Sequence, residues 1–465
     1  MPERYHIKTA ATPGRFRRVG KFGSIDWRED CSHCTNCVKV RCLYDTYKKE
    51  SAHNRDPLTG LQPLYECKGC LSCVQGCTKG LLSIVINPEF LAMGDDYWRP
   101  DMLATTWNQS ETGRIPVSGA GYRGRFSGPG FDGIWTDMSE IVRPTRDGIH
   151  GREYISTTVD IGPKPLRLEF APDGTMKTAP SSLIEIQMPA ILDVPPWSMR
   201  MGRELALARL ASAKALKTLA VAKPADIEAA PADQWPLAVP LMEAADVADH
   251  AELLKKVRMV ELVDGPDVLE TAGKVRAINP ALIVAVRMDV KAGAAARASD
   301  LGRQGIKVLH LAADLHGMEK GVEQPRHLKD TLREIHGRFV KDGFRDEITL
   351  IAGGGIALAE HMAKAILCGA DLVAVGTPLL VALGCRVCGS HEGTCDEPCP
   401  AEIKGTEVAY SSQRMINLMG AWHSQMIEVL GAMGIREVRR LRGEVGRAIF
   451  MEDIEREAFG DLIRK

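Results

Sequence analysis

Cys31, Cys34, Cys37 and Cys42 are spaced C-x2-C-x2-C-x4-C, and Cys67, Cys70, Cys73 and Cys77 are spaced C-x2-C-x2-C-x3-C. Three thiolates at two-residue intervals wrap three corners of an iron–sulfur cubane, and a fourth Cys completes it. Zinc also takes CxxC pairs, but two triplets each followed by a fourth Cys suit 4Fe-4S clusters better than tetrahedral four-thiolate zinc. A third group, Cys385, Cys388, Cys395 and Cys399, lies within fifteen residues in GCRVCGSHEGTCDEPCP, with Pro400 directly after the last thiol. It suits one 4Fe-4S cluster, or with three of its thiols a 3Fe-4S cluster, and zinc is the rival. His391 lies among these cysteines and reads as a solvated loop residue, while Cys368, among small apolar residues, reads as buried and inert.

The two N-terminal runs resemble bacterial ferredoxins, in which the remote fourth Cys ligates the other cluster. On that pattern Cys31, Cys34, Cys37 and Cys77 hold one cluster, and Cys67, Cys70, Cys73 and Cys42 hold the second. The longer gap before Cys42, and Leu43 and Thr78 where Pro usually follows, are departures expected to shift the potentials.

Elements able to position these groups follow from composition and pattern. The chain has 465 residues, enough for several units. Its 59 Lys and Arg balance 60 Asp and Glu, so no bulk field favours nucleic acid or anionic lipid. Thirteen cysteines, twelve of them at ligand spacings, behind an N-terminus without an apolar signal core, indicate a reducing, cytoplasmic setting. The most apolar stretch, Ala365 to Cys385, contains Asp371 and Pro378 and reads as helix end, strand and turn, so no membrane span is expected.

Residues 1–90 read as a two-cluster α+β ferredoxin-like domain and 91–180 as an irregular connector ending before strand-like IEIQM at 184–188. Eight apolar runs then recur at 189–194, 217–222, 236–242, 257–263, 282–288, 306–312, 348–354 and 372–376, with helical stretches such as 198–216 and 357–370 between them. Continuous Val/Ile/Leu runs are strands buried on both faces, which means a parallel sheet under helices. Eight such units suit an α/β fold of the (β/α)8 barrel type over 181–400, ending in the third cysteine group. Residues 401–465 read as a helical tail centred on the amphipathic stretch 412–434.

Gly353, Gly354 and Gly355 end the seventh strand, and Gly376 and Thr377 end the eighth. Loops after strands seven and eight of barrels commonly bind phosphate through backbone N–H groups and a helix N-terminus, although such glycines also serve tight turns. Arg143, Arg146, Asp147, His150, Arg152 and Glu153 form a charged run that reads as internal pairing within the connector.

Three blocks, 119–157 (GAGYRGRFSGPGFDGIWTDMSEIVRPTRDGIHGREYIST), 348–385 (ITLIAGGGIALAEHMAKAILCGADLVAVGTPLLVALGC) and 439–455 (RRLRGEVGRAIFMEDIE), resemble the FMN-binding synthase domain of glutamate synthases, in particular the archaeal type with a fused ferredoxin domain. The resemblance implies an FMN-bearing barrel, a cluster just after the eighth strand, and electron flow from clusters to flavin. It puts Arg287 where the family has a Lys at a strand end near the flavin, able to stabilise reduced flavin or a carboxylate, or to form a plain salt bridge. The family's Gly/Ser-rich loop after strand one is replaced by LDVPPWSMRMG (192–202), leaving Ser198 as its cofactor-binding candidate. The Gly-rich loop after strand six is replaced by AADLHGMEKG (312–321), where Asp314 and His316 are catalytic candidates. The region between strands one and four is too short for the family's substrate-binding insertion.

Two functions follow from this reading. The first is an iron–sulfur flavoprotein subunit passing electrons to FMN and on to an imine-type acceptor, converting 2-oxoglutarate plus ammonia to glutamate. The second is an electron-transfer or scaffold subunit of a larger redox complex, its barrel having lost that chemistry. With Met1-Pro2 at the start and no nearby Cys nucleophile, ammonia supply is assigned to a glutaminase-type or other oxidoreductase subunit. The electron donor is expected to be ferredoxin or an NAD(P)H-oxidising subunit within a multi-subunit complex.

Overall fold

The computed structural model describes residues 5–16, 19–27, 30–32, 34, 36–45, 67–115, 127–137, 154–165, 167–177, 182–196, 202–388 and 401–463. Eight strands form its centre: β1 (Ala190–Leu192), β2 (Ala220–Ala222), β3 (Ala238–Met242), β4 (Met259–Val263), β5 (Ile283–Asp289), β6 (Val308–Ala312), β7 (Thr349–Gly353) and β8 (Leu372–Val375). Each overlaps one of the eight apolar runs. All neighbours are parallel, and the ring closes where β8 pairs with β1 through Val373↔Ala190, Ala374↔Ile191 and Val375↔Leu192. Short Val/Ile/Leu/Ala strands take this form because both of their faces are buried; β1, β2, β6, β7 and β8 are buried at every residue.

Register decides what enters the barrel. Arg287 of β5 stands beside His310 of β6, and Ala312 of β6 beside Gly353 of β7. Alternation along each strand puts these residues on the inward face, in layers near the C-terminal ends.

The helices that cover the barrel include α1 (Pro100–Thr112), α2 (Arg203–Leu216), α3 (Val268–Ile278), α4 (Ala294–Arg303), α5 (Leu328–Asp342), α6 (Ala359–Leu367), α7 (Thr377–Ala382) and α8 (Val408–Ala432). Two of these correct the sequence reading. The connector 91–180 is not irregular throughout, since it contributes the thirteen-residue α1. The segment read as a C-terminal tail is central: α8 packs on α1, α2, α6 and α7, and its Met415, Leu418, Met419 and Trp422 are fully buried. Burying each such side chain contributes about 1.5–3 kcal/mol, more than a peripheral tail would gain. Polar contacts fix its register: Asn417 Nδ2 donates to Ala10 O (2.7 Å) and Ser110 O (2.9 Å), and Trp422 Nε1 donates to Gln109 Oε1 (3.2 Å).

Ahead of the barrel, strand Phe22–Trp27 pairs antiparallel with strand Leu82–Ile86, and the short helices Asn36–Lys39 and Ser72–Gln75 pack on each other. Each helix carries the third Cys of its run. Among the described residues no helix is long and apolar enough to cross a membrane.

Candidate functional site

At the C-terminal end of the barrel lies a cavity of about 500 Å³, within the ~300–1,000 Å³ usual for small-molecule and cofactor sites. Arg287, Asp314, His316, Gly353, Gly354, Gly355, Gly376 and Thr377 all line it, so eight of the nine candidate residues read from the barrel sequence meet around one hollow. The ninth, Ser198, lies outside the described residues, as do Cys395, Cys399, His391 and the charged run from Arg143 to Glu153.

The glycines have two separable roles. Gly354 and Gly355 have φ of 100° and 67°, and a Cβ on either would fall 2.6–2.9 Å from Asp314 O, Ala313 or Gly317. Their lack of side chains lets the loop after β6 lie against the end of β7. Gly354, Gly355 and Gly376 also follow directly on the ends of β7 and β8, where they line the hollow. Backbone at such a place can form an anion-binding concavity.

Below the cavity a charged network runs through the barrel. Arg287 Nη1 and Nη2 donate to Asp193 Oδ1 (3.0 Å) and Oδ2 (2.5 Å), and Nη1 lies 3.6 Å from Glu261 Oε1. Glu261 Oε1 is also 2.6 Å from His310 Nδ1, and both of these side chains are fully buried. Among the described residues Glu261 Oε2 and His310 Nε2 have no hydrogen-bond partner. Burial alone would raise Asp193, but the Arg287 guanidinium, then His310 and the hydrogen bonds from Arg287 and the Val194 amide, hold its carboxyl below the ordinary range. Arg287 is thus paired with Asp193 and lines the cavity at the same time.

The loop after β6 is built as a cap. Asp314 Oδ1 accepts from the amides of His316 (2.9 Å) and Met318 (2.7 Å), so this carboxylate shapes its own loop. His316 Nε2 lies 2.8 Å from Asp95 Oδ2, and that hydrogen bond raises its pKa against the opposing effect of burial. Trp98 lines the cavity and donates from Nε1 to Leu315 O (3.0 Å), while Tyr97 OH donates to Gly355 O (2.5 Å).

His327 shows what this packing costs in acid. Its Nδ1 accepts from the Lys329 amide (3.1 Å), capping α5, and burial, then Lys329 and His361, push its pKa down to about 3. A histidine held neutral in the fold contributes fully above its unfolded pKa of ~6.5 and loses ~1.36 kcal/mol per pH unit below it. Urea unfolding is expected to show a loss of about 2 kcal/mol from this group between pH 6.5 and 5. His327→Asn, which still caps but cannot charge, should flatten that slope; an unchanged slope would assign the acid sensitivity elsewhere.

In the cysteine-rich domain, Cys37, Cys42 and Cys73 are buried together against Leu82, with Cys67 and Cys77 packed beside them. Gly69 N donates to Cys67 Sγ (3.5 Å), Leu81 N to Cys77 Sγ (3.4 Å) and, at the third group, Val387 N to Cys385 Sγ (3.4 Å). Hydrogen bonds from the Leu81 and Lys79 amides lower the Cys77 pKa. Among the described residues no three Cys, His, Asp or Glu side chains are gathered at metal-ligating distance. Cys368 is buried and its thiol is pushed up to about 12 by desolvation, the inert behaviour expected of it.

Asp193, Glu261, His310 and Trp98 were missed from sequence. A signal existed for two: Glu261 in VRMVELV and His310 in IKVLHLA interrupt runs otherwise destined for the barrel interior. Asp193 and Trp98 sit beside turn residues and carry no such mark.

Residues 257–436, from the start of β4 to beyond α8, match the conserved region in glutamate synthase. Over these residues the chain is similar to glutamate synthases. An archaeal-type glutamate synthase (NADPH) of Dehalococcoides mccartyi is 24% identical over 482 residues, covering 90% of this chain and 93% of the relative. An archaeal glutamate synthase (NADPH) of Archaeoglobus fulgidus is 23% identical over 512 residues, covering 94% and 96%. One from Methanocaldococcus jannaschii reaches 38% over 133 residues, 27% of this chain and 26% of the relative. Among solved structures, a flavocytochrome b2 mutant with pyruvate bound gives a TM-score of 0.44 at 12% identity, covering 70% of this chain and 78% of that one. Mandelate oxidase gives 0.41 at 13%, covering 78% and 92%. The glutamate synthase match contains Arg287, Glu261, His310 and the glycines, whereas Asp193 and Trp98 precede it.

Proposed function

We propose that the chain is the iron–sulfur flavoprotein subunit of a glutamate-synthase-like oxidoreductase, with FMN in the barrel-top cavity and cysteine-ligated clusters as the electron entry. The observation that carries this reading is the meeting of Arg287, His316 and the glycines of β7 and β8 around one cavity of cofactor size. The residues suit a flavin mononucleotide. The backbone at Gly354, Gly355 and Gly376, which line the cavity at the ends of β7 and β8, would hold its phosphate. Arg287, fixed from behind by Asp193, would face the ring or a substrate carboxylate. Flavin supplies two-electron redox chemistry at such a site. His316 keeps a proton at Nε2 against Asp95, and Trp98 and the loop after β6 exclude water from one side.

The acceptor in this reading is the imine formed from 2-oxoglutarate and ammonia, as the names of the relatives suggest. Ammonia would come from a glutaminase-type subunit, and electrons from ferredoxin or an NAD(P)H-oxidising subunit. Buried cysteines with N–H···S contacts support clusters in the N-terminal domain and after β8, since such hydrogen bonds tune cluster sulfur.

Anaerobically purified protein is expected to release about one FMN per chain on denaturation, identified by chromatography. Iron without flavin would overturn the reading. A second function, an electron-transfer or scaffold subunit, is favoured by the engagement of Asp314 with its own loop and of Arg287 with Asp193 and Glu261. Turnover of 2-oxoglutarate plus ammonia with reduced ferredoxin separates the two: bound flavin without turnover selects the second.

A further inference from the structure

His316 lines the main cavity from the loop after β6, the stretch AADLHGMEKG in which the chain departs from the glutamate synthase pattern. Its Nε2 lies 2.8 Å from Asp95 Oδ2, and the two side chains keep 22% and 18% of their surface exposed. An ionised carboxylate can only accept, so Nε2 carries a proton toward Asp95. The other oxygen of Asp95, Oδ1, accepts from the amides of Tyr97 (2.8 Å) and Trp98 (2.6 Å), which fixes the carboxylate in the turn before α1. The connector thus pins an imidazole on the cavity wall.

The surroundings favour its charged form. The charged and titratable groups around His316 are Asp95 and Tyr97 from the connector, Asp314 from its own loop and His327 from the start of α5. The hydrogen bond to Asp95 raises the His316 pKa against burial, and the charges of Asp95 and Asp314 add to the rise. Burial keeps the Tyr97 hydroxyl protonated on Gly355 O, and His327, at about 3, is neutral. The Tyr97 ring stands 5.6 Å from the His316 ring, and Gly317, next in the chain, lies so near Gly355 that a Cβ on Gly355 would fall 2.8 Å from Gly317 Cα. His316 therefore stands beside the glycine turn at the end of β7.

We infer that Asp95 is a positioning residue that keeps His316 as a cation beside the Gly353–Gly355 turn, where the pair recognises the phosphate of a flavin mononucleotide and selects it over the unphosphorylated flavin. The inference rests on the flavin reading proposed above. A phosphate dianion opposite a held imidazolium gains a charge-assisted contact that riboflavin lacks. Arg287 and Lys320, which share the cavity, are tied to Asp193 and Asp289.

The flavin-free full chain is titrated with FMN and, separately, with riboflavin between pH 7 and 9.5, followed by quenching of flavin fluorescence. FMN is expected to bind about tenfold or more tightly than riboflavin at pH 7. That preference should shrink as pH rises through the His316 value, since the phosphate stays dianionic over this range. Asp95→Asn keeps an acceptor for the Tyr97 and Trp98 amides but turns an N–H toward His316, which leaves the imidazole neutral. It should cut the preference about tenfold, flatten its pH dependence and leave riboflavin affinity unchanged. His316→Gln should do the same, and decides the matter if Asp95→Asn does not fold. An unchanged preference in the variants, or FMN and riboflavin weakened alike, overturns the inference, the latter marking the pair as purely structural. Binding of neither flavin to the wild type sinks the flavin reading instead, and inorganic phosphate, titrated calorimetrically, then tests the pair alone. Phosphate binding weakened about tenfold in both variants upholds its anion role, and any other result ends it.

Discussion

Arg287→Met is expected to lower the unfolding free energy by about 3–5 kcal/mol at pH 7.5, the range for leaving a buried charge without its partner. The guanidinium is the only cation within hydrogen-bond reach of Asp193 among the described residues, and it also faces Glu261, which is fully buried. Methionine fills similar volume and leaves two carboxylates facing one imidazole. Because Arg287 holds the Asp193 carboxyl low, that contribution is present above the unfolded pKa of ~3.9 and lost as pH falls through it. In the variant Asp193 is instead expected to take up a proton at higher pH, which relieves the unpaired charge. The gap between variant and wild type should therefore narrow from pH 7.5 to pH 5, as read by urea unfolding. Arg287→Lys, which keeps the charge but not the two-pronged contact, should fall between them. A gap under about 1 kcal/mol, or one independent of pH, would mean the network is paired through groups other than this arginine.

Removing the buried Cys73 should have the largest effect on metal content. In the proposed ligation Cys73 shares a cluster with Cys67, Cys70 and Cys42, so anaerobically purified Cys73→Ala is expected to contain about four fewer iron atoms per chain than the wild type. Cys368→Ala is the control, because that thiol is buried under α6 with its pKa pushed up to about 12. Iron and zinc are measured together by mass spectrometry. Zinc in place of iron, or iron unchanged by Cys73→Ala, would sink the cubane assignment.

The barrel was legible in the sequence because its strands are buried on both faces, and burial on both faces leaves no polar alternation to confuse them. KTLAVA and LVAVG mark strands by their apolar runs, and IKVLHLA does so although His310 interrupts it. The glycines at 353–355 and 376 were legible for a related reason, since backbone that must approach a loop or a ligand closely tolerates little else. Helix α1 was invisible to the same reasoning. Its buried residues include Thr105, Thr106, Gln109 and Ser110, and Gln109 and Ser110 pair with Trp422, Asn417 and Arg414 on α8. Its buried apolar residues Met102, Leu103 and Trp107 are mixed with these polar ones, which blurs the apolar stripe that sequence reasoning looks for. Helix α8 was recognised as amphipathic but read as the centre of a tail, although most of its residues are buried. Arg287 and the interior carboxylates show the limit for the site: a charged residue among apolar ones signals a special position, but not what it faces.

The path of the chain from the cysteine-rich domain into the barrel bears on how the two can be separated. Glu89 pairs with Arg386 at 3.0 Å, Gly94 N donates to Arg386 O at 3.0 Å, and a few residues on Trp98 forms part of the cavity wall. Arg386 itself stands between Cys385 and Cys388. The stretch from Glu89 to Trp98 thus works as a strut shared by both units rather than a tether between cassettes. A barrel excised at residue 181 would lack one side of its own cavity, and a foreign iron–sulfur domain joined upstream would have to bring its own equivalent of Trp98 and Asp95. Exchange of the cysteine-rich domain by simple recombination is accordingly closed to this architecture unless the crossover falls before Glu89.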